Sequence, residues 1–244
     1  MNRMGSCTVL TTSVIFAFVG CGSLAPGGAV TGAGSASYGK SWMLPEDSGD
    51  DLLYVLKDNY VVNVYSYPDA KFVETLTGFE DTPTGLCADE QGDVFVTEED
   101  NVSGEAPGNR IVEFAHGGTS PIANLTDSDF PWSCSVDPTT GDLAVTNWVN
   151  DTVAIYPNAQ GNPTYIATSL SQTYWAAYDN DGNLFVSGNT GPSSYGLAEL
   201  PSGSGTFRKV SLNESIGIDA LQWTDGDLIV SYDSAANRAR NLYR

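Results

Sequence analysis

The sequence predicts an all-β fold, and three of its features carry that prediction. The 244 residues include 26 Gly and 12 Pro, which interrupt the chain too often for long helices. Apolar residues make up 41% and aromatic residues 11%, which is too apolar a composition for a disordered chain. A strand–turn–strand phrase also recurs along the chain. Together these features favour a fold of many short strands.

The recurring phrase has a period of about 45 residues. It reads PTGLCADEQGDVFVTEE at 83–99 and PWSCSVDPTTGDLAVTNW at 131–148, and related phrases occupy 173–189 and 217–233. Their turn glycines, separated by 49, 41 and 44 residues, are Gly92, Gly141, Gly182 and Gly226. A repeat of this length is typical of one blade of a β-propeller, and the sequence therefore predicts that architecture.

Four strands are predicted for each blade. The first two flank the glycine turn, because Gly can adopt the positive φ that a tight hairpin needs. The second is an apolar triplet such as Val94-Phe95-Val96, which we expect to be buried on both faces between stacked sheets. Third and fourth strands follow within 109–125, 151–170 and 195–212.

The two ends of the repeat region contain fewer strands. Residues 51–79 contain the second to fourth strands of a blade but no evident first strand, and residues 218–244 contain two or three strands. The domain predicted for 42–244 therefore shows about 4.5 blades of a five- or six-bladed propeller. Two alternatives stay open, a ring that closes imperfectly or a chain that lacks a final blade.

The first 20 residues are predicted to be a signal peptide. Arg3 precedes an apolar run of about 11 residues that ends at Val19, whereas a membrane-spanning helix needs about 20. The run leads into Phe18-Val19-Gly20-Cys21, which resembles the lipobox of bacterial lipoproteins. That resemblance implies lipidation of Cys21 and an extracytoplasmic protein that is anchored in the periplasm or at the cell surface.

Two alternatives for this segment stay open. One is an ordinary secretory peptide cleaved later, for example after Ala36, which would give a secreted protein. The other is a core strand of the domain. Residues 21–41 are rich in Gly, Ala and Ser, and this composition predicts a flexible tether.

Charge and histidine content narrow the possible functions. Ten Lys and Arg residues against 30 Asp and Glu residues give a net charge of −20, which argues against nucleic-acid binding. The single histidine, His116, is predicted to lie in an outer turn between a third and a fourth strand. Most Ser/His/Asp and multi-His zinc sites are therefore disfavoured.

The repeats resemble the NHL-repeat and gluconolactonase-like β-propeller superfamily over about residues 45–244. The resemblance implies the propeller fold and, as an alternative function, a metal-dependent hydrolase whose axial Glu, Asn and Asp residues hold the ion. The Asn that those relatives carry after a Pro is absent, because the matching positions read Pro83-Thr84-Gly85 and Pro131-Trp132-Ser133. Asp219 is the most plausible axial acid, and Glu98 could reach the same face.

A ligand-binding rim is the best site that the sequence offers. In a propeller, the connections between second and third strands share one rim with those that lead into the next blade. Aromatic and acidic residues there suit stacking on carbohydrates or contact with cations. The predicted rim residues are Glu98, Asp129, Trp132, Trp148, Trp175, Asp219 and Tyr232. In the alternative, Trp132, Tyr174 and Trp175 pack between blades as core.

The predicted function is accordingly a binding or scaffolding module at the cell envelope. Its partner would be an envelope protein, a glycan or a small molecule, and its contact with the membrane would be the lipid anchor alone. No cofactor is predicted, although calcium stays open. Asp179-Asn180-Asp181-Gly182-Asn183 alternates its carboxylates like the start of a calcium loop, but the recurrence of similar turns in other repeats favours a hairpin turn.

Two cysteines lie on first strands of successive blades. Cys87 is two residues before Asp89, whereas Cys134 is three residues before Asp137. Because side chains alternate along a strand, this offset directs the two cysteines to opposite faces of their sheets. The sequence allows an interblade disulfide, which an exported protein could form, or two buried thiols that point apart.

Overall fold

The protein is described by a computed structural model that covers residues 16–19, 51–57, 61–99, 109–191, 194–211, 217–224, 226–233 and 240–243. Within these ranges the chain forms nineteen β-strands and one short 3-10 helix, Pro157–Ala159. No helix in the same ranges is long and apolar enough to cross a membrane. The all-β prediction is confirmed.

The strands form five antiparallel sheets in chain order, and consecutive strands pair within each sheet. The first sheet contains β1 (Phe16–Val19), β2 (Leu52–Lys57), β3 (Val61–Ser66) and β4 (Phe72–Leu76). The second contains β5 (Thr82–Ala88), β6 (Val94–Glu99), β7 (Arg110–Phe114) and β8 (Pro121–Thr126). The third contains β9 (Pro131–Val136), β10 (Leu143–Asn147), β11 (Thr152–Tyr156) and β12 (Thr164–Ala167). The fourth contains β13 (Thr173–Tyr178), β14 (Leu184–Gly191), β15 (Ser194–Leu200) and β16 (Arg208–Val210), and the fifth contains β17 (Gly217–Thr224), β18 (Asp227–Asp233) and β19 (Arg240–Tyr243).

The turn between first and second strands has the same chemistry in the second and fourth sheets. Asp89 Oδ1 accepts the backbone N–H groups two and four residues further on, and Gly92 adopts a φ of 84°. Asp179 Oδ1 accepts the N–H groups at the same spacing, and its Oδ2 accepts Asn183 Nδ2. The Asp179 segment is therefore a hairpin turn whose carboxylate serves the turn itself.

Buried apolar side chains form four clusters, each between two successive sheets. The second strand of a sheet contributes side chains to the apolar clusters on both faces of that sheet. Val94 and Val96 belong to the cluster shared with the first sheet, whereas Phe95 belongs to the cluster shared with the third. All three are at most 1% exposed, so the predicted burial on both faces is confirmed. Each such side chain contributes about 1.5–3 kcal/mol by burial.

The first strands of successive sheets pack against one another around a common centre. Strand β5 packs on β9, β9 on β13, and β13 on β17. Gly85 permits the first of these approaches, because a Cβ atom there would lie 2.5 Å from the Trp132 carbonyl oxygen. The four strands line a cavity of about 140 Å³. Four-stranded sheets arranged in this way are the blades of a β-propeller, as the repeat predicted.

The first sheet corrects one prediction. Strand β1 pairs antiparallel with β2, with Phe16 opposite Leu56 and Val19 opposite Leu53. The expectation that this blade has no first strand was therefore wrong. The missed strand lies in the apolar run assigned to the signal peptide, and its Phe and Val residues favour strands as well as signal-peptide cores. This pairing corresponds to the alternative in which the run is a strand of the domain, while export and cleavage stay predictions.

The last sheet has three strands in the described residues. Strand β19 overlaps the possible third strand of this region and pairs with β18, with Leu242 opposite Ser231. The described residues contain no apolar cluster that joins the fifth sheet to the first. Both alternatives for ring closure therefore stay predictions.

Candidate functional site

A disulfide joins the first strands of the second and third sheets. The Sγ atoms of Cys87 and Cys134 are 2.12 Å apart and the Cα atoms 5.6 Å apart. Both cysteines are buried in the cluster between these two sheets. The structure therefore contains the interblade disulfide and not two separate thiols. The one-residue offset between the two repeats directs the two cysteine side chains toward each other. A bridge that closes a loop of this length contributes about 3–4 kcal/mol in the chain-entropy account.

In the second to fourth sheets, side chains hold the end of the second strand to the loop that leads into the sheet. In the second sheet, the tie is the fully buried Glu98. Its Oε1 accepts the backbone N–H groups of Glu80 at 3.0 Å and Asp81 at 3.4 Å, and its Oε2 pairs with Arg110 Nε. Arg110 also contacts Glu80 at 2.8 Å. Burial raises the pKa of Glu98, while Arg110 and the two amides oppose that rise.

This arrangement corrects the prediction made for Glu98. The sequence placed its carboxylate on the ligand-binding rim or near the propeller axis. Instead, both carboxylate oxygens are engaged within the second sheet, and the side chain is inaccessible to solvent. Alternation along β6 locates the side chain, but it does not reveal that Arg110 stands opposite on β7.

In the fourth sheet the tie is made of neutral groups. Asn189 Nδ2 donates to Gln172 Oε1 at 2.6 Å and to Tyr174 Oη at 3.0 Å. The Tyr174 hydroxyl donates in turn to Gln172 Oε1 at 3.0 Å. Because Tyr174 is also one of the rim aromatics, this network sets the position of a half-buried ring.

In the third sheet the second strand ends at Asn147, and two acids lie in the loop that leads into the sheet. Asp127 Oδ1 accepts Tyr165 Oη at 2.9 Å and the Asp129 amide at 3.0 Å, and Oδ2 accepts Tyr156 Oη at 3.0 Å. Asp129 Oδ2 accepts Thr152 Oγ1 at 3.2 Å. Burial raises the pKa of Asp127, against the hydrogen bonds that it accepts. Burial also raises the pKa of the Tyr156 hydroxyl, which therefore acts as a neutral donor.

Asp129 lies in the loop between β8 and β9, where its carboxylate is not accessible to a ligand. Its side chain is 3% exposed and lies beneath the surface with Asp127, which is fully buried. The prediction of an exposed carboxylate beside the aromatic residues is corrected, because the loop that carries Asp129 folds back onto β10 and β11.

Four aromatic residues form a cluster where the third and fourth sheets meet. The Trp132 ring centroid lies 6.0 Å from that of Trp148, 6.3 Å from that of Tyr174 and 6.5 Å from that of Trp175. Trp175 is buried in the apolar cluster between the fourth and fifth sheets, whereas the other three rings are partly exposed. Of the three residues for which packing as core stayed open, Trp175 is buried, whereas Trp132 and Tyr174 are half-buried and Tyr174 packs against the same apolar cluster as Trp175.

Trp132 carries an unsatisfied polar group. Its Nε1 atom is buried and has no hydrogen-bond partner among the described residues. A buried indole N–H without an acceptor costs about 1–3 kcal/mol. The Trp132 indole N–H is therefore a hydrogen-bond donor that lacks an acceptor.

The last two predicted rim residues lie on the fifth sheet. Tyr232 is opposite Ile218 in the pairing of β17 with β18, and Asp219 is at the irregularity that follows that pair. The side chains of both lie outside the described part of the structure, as do Cys21 and the tether. Their proposed roles stay predictions.

The described residues contain no group of three or more His, Cys, Asp and Glu side chains arranged to hold a metal ion. His116 lies in the outer turn between β7 and β8, as predicted, where its backbone N–H donates to Asp93 Oδ1 at 2.9 Å. Neither observation supplies an axial metal site or a general base near the aromatic cluster.

Comparison with known proteins identifies the fold. No family model matches the chain, and no curated protein matches it. Solved structures do match, among them hydrazine synthase from Kuenenia stuttgartiensis, with a TM-score of 0.61 at 14% identity over 84% of this chain. The chain spans 60% of the length of that protein chain. At this identity the likeness shows the β-propeller fold alone, because propellers serve many unrelated functions.

Proposed function

We propose that this chain is an exported β-propeller of the NHL-repeat type that acts as a binding or scaffolding module at the cell envelope. Its ligand contact is the aromatic cluster of Trp132, Trp148, Tyr174 and Trp175. The single observation that carries the proposal is that three of these rings are partly exposed side by side, and that the Trp132 N–H beneath them lacks an acceptor.

The chemistry of the cluster favours a neutral, polyhydroxylated ligand. Flat aromatic faces offer a sugar ring apolar contact with a fixed orientation. The two nearby carboxylates are buried, so they do not supply an exposed negative charge for a cationic ligand. Among the predicted partners, a glycan is therefore preferred over a cationic small molecule or an envelope protein.

We infer anchoring from the N-terminal sequence, in which case cleavage before Cys21 removes the residues of β1 from the mature chain. Lipidation of Cys21 would hold the propeller at the membrane through the 21–41 tether, and the membrane would be contacted through that anchor alone. The net charge of −20 supports a partner other than nucleic acid. Incorporation of labelled palmitate into the full chain, lost in Cys21→Ser, tests the anchor. Release of an unlabelled protein into the medium would instead favour the secreted form.

The binding role is tested by tryptophan fluorescence. The full chain is titrated with cellopentaose and chitopentaose, and a saturable change in emission is expected with at least one of them. Trp148→Ala should weaken binding at least tenfold, because it removes one face of the cluster. Val149→Ala is the matched control, because Val149 is the exposed neighbour of Trp148 in the chain.

Two outcomes would contradict the proposal. Binding that survives unchanged in Trp148→Ala would place the ligand elsewhere on the protein. The absence of binding to both oligosaccharides would exclude this ligand class and leave a protein partner as the next candidate.

The alternative function, a metal-dependent hydrolase, rests on Asp219 alone, because the other candidate acid, Glu98, is paired with Arg110.

A further inference from the structure

We propose that two buried threonines, Thr146 on β10 and Thr173 on β13, are positioning residues of the aromatic cluster and set the spacing of the rings that meet the ligand. The inference rests on the proposed function, because it concerns the same cluster. Both side chains are fully buried, with an exposed fraction of 0%. They therefore act on a ligand only through the backbone that carries the rings.

Thr146 connects the backbones of two ring-bearing residues from neighbouring sheets. Its Oγ1 atom accepts the backbone N–H of Ser133 at 3.1 Å, and that N–H belongs to the peptide group that follows Trp132. The same hydroxyl donates to the carbonyl oxygen of Tyr174 at 2.8 Å, whereas the Ser133 carbonyl oxygen is farther away at 3.2 Å. A hydroxyl has one proton and two lone pairs, so it can accept the first bond and donate the second at once.

Thr173 makes the reciprocal contact from the fourth sheet. Its Oγ1 atom donates to the carbonyl oxygen of Asn147 at 2.7 Å, and that carbonyl belongs to the peptide group that precedes Trp148. The N–H of the same peptide group donates to the Phe130 carbonyl oxygen at 2.9 Å. Because a peptide group is planar, bonds at both of its polar atoms fix its orientation. The chain direction at Trp148 is thus held by the residue that precedes Tyr174.

The two threonines cross-link the third and fourth sheets at the level of the cluster. Thr146 lies two residues before Trp148, and Thr173 lies directly before Tyr174. Each sheet therefore contributes both rings and a hydroxyl that holds the ring-bearing backbone of the other sheet. The ring centroids of Trp132 and Tyr174 lie 6.3 Å apart in this arrangement. A surface whose rings are fixed before the ligand arrives binds more tightly, because less freedom is lost on binding.

The hydroxyl, and not the shape of the side chain, carries this role. Valine has nearly the same shape as threonine but can neither donate nor accept a hydrogen bond. Thr146→Val would leave the Ser133 N–H and the Tyr174 carbonyl without the partner that they share, and buried polar groups without partners are unfavourable. The two strands would have to move apart to admit water, which would change the distance between the rings.

The first measurement needs no ligand. Near-ultraviolet circular dichroism of the full chain reports the fixed packing of its tryptophans. Thr146→Val should change the tryptophan bands, and Thr146→Ser, which restores the hydroxyl, should keep them as in the parent. Tyr54→Phe is the matched control, because it removes another hydroxyl that joins two sheets, through the Gly117 N–H at 3.2 Å, and should leave the tryptophan bands unchanged.

The second measurement is the titration with the oligosaccharide that the parent binds. Thr146→Val should weaken binding by about tenfold, whereas Thr146→Ser and Tyr54→Phe should bind like the parent. Thr173→Val should weaken binding to a similar degree, and it replaces Thr146→Val if that variant does not fold.

Parent-like tryptophan bands in both valine variants would overturn the proposal. So would parent-like affinity in both, or equal changes in Tyr54→Phe. A parent chain that binds neither oligosaccharide contradicts the proposed function instead, and circular dichroism then decides by itself whether the threonines position the rings.

Discussion

The rims of the second and third sheets place different chemistry at matching positions. Glu98 is the last residue but one of β6 and Asn147 is the last residue of β10, and each stands opposite a Pro of the first strand, Pro83 and Pro131. On the other side Glu98 faces Arg110, whereas Asn147 faces Thr152. At this rim the second sheet thus pairs the buried Glu98 with a cation, whereas the third sheet surrounds the buried Asp127 and Asp129 with neutral groups.

The difference shows that one architecture compensates buried charge in two ways. In the second sheet the compensation is built into the chain, because Arg110 pairs with both Glu98 and Glu80. In the third sheet the corresponding residue, Thr152, is uncharged, and hydrogen bonds from neutral groups hold the two acids instead. The strand pairing is the same in both sheets, so the side chain that opens the third strand determines the outcome.

Removal of the cation from the second sheet should have the largest effect. Arg110→Ala leaves Glu98 buried without a counter-charge and should lower the free energy of unfolding by about 3 kcal/mol. Chemical denaturation measures this loss. Arg208→Ala is the matched control, because Arg208 makes a two-point contact with Glu199 at the surface and a much smaller loss is expected. Equal losses in the two variants would show that burial does not separate the two pairs.

Transfer of the cation to the third sheet should reverse the comparison. Thr152→Arg puts a guanidinium at the position that corresponds to Arg110, where it can reach Asp129. We expect the free energy of unfolding to rise by about 1–2 kcal/mol. Chemical denaturation of parent and variant measures the gain. A variant that is no more stable than the parent would argue against the shared position.

Glu113 on β7 is a half-buried acid with no cation beside it, and its substitution should have the smallest effect. Burial raises its pKa to about 6, and the nearby Asp93 and Asp89 add to the rise. A raised carboxyl pKa in the folded state stabilises the protein below the unfolded value and loses that effect as the pH rises through about 6. The change is at most about 2 kcal/mol, and solvent screening reduces it to about 1 kcal/mol.

Glu113→Gln should therefore raise the free energy of unfolding by about 1 kcal/mol at pH 8 and leave it nearly unchanged at pH 4. Denaturation curves for parent and variant at the two pH values give the comparison. An equal gain at both pH values would show that the substitution acts through packing or hydrogen bonding and not through the charge.

The repeat carried most of the prediction of the fold. A turn residue such as Gly92 recurs because the hairpin needs its positive φ, and the apolar triplet around Phe95 recurs because each sheet is covered on both faces. These are local requirements, so they are visible in a single sequence. The strand at Phe16–Val19 was missed because its apolar run fits a signal peptide as well as it fits a strand.

The candidate site was predicted less completely. The aromatic residues were found, because their position in the repeat places them on one rim. The burial and hydrogen bonding of the acids were not predicted. Glu98 is engaged by a loop 17–18 residues away, and Asp127 is engaged by a tyrosine 38 residues away. The one sequence signal that could have separated the two sheets was the residue that opens the third strand, Arg110 in one and Thr152 in the other.

The sequence by itself determined the period, the strand positions, the hairpin turns and the faces of the strands, including the opposed directions of Cys87 and Cys134. Each of these depends on residues close together in the chain. Only the tertiary structure decided which acids are buried, which are paired, and which rings stay exposed. Those properties depend on the distance to groups from other sheets and loops, because desolvation and charge pairing are set by what surrounds a side chain in space.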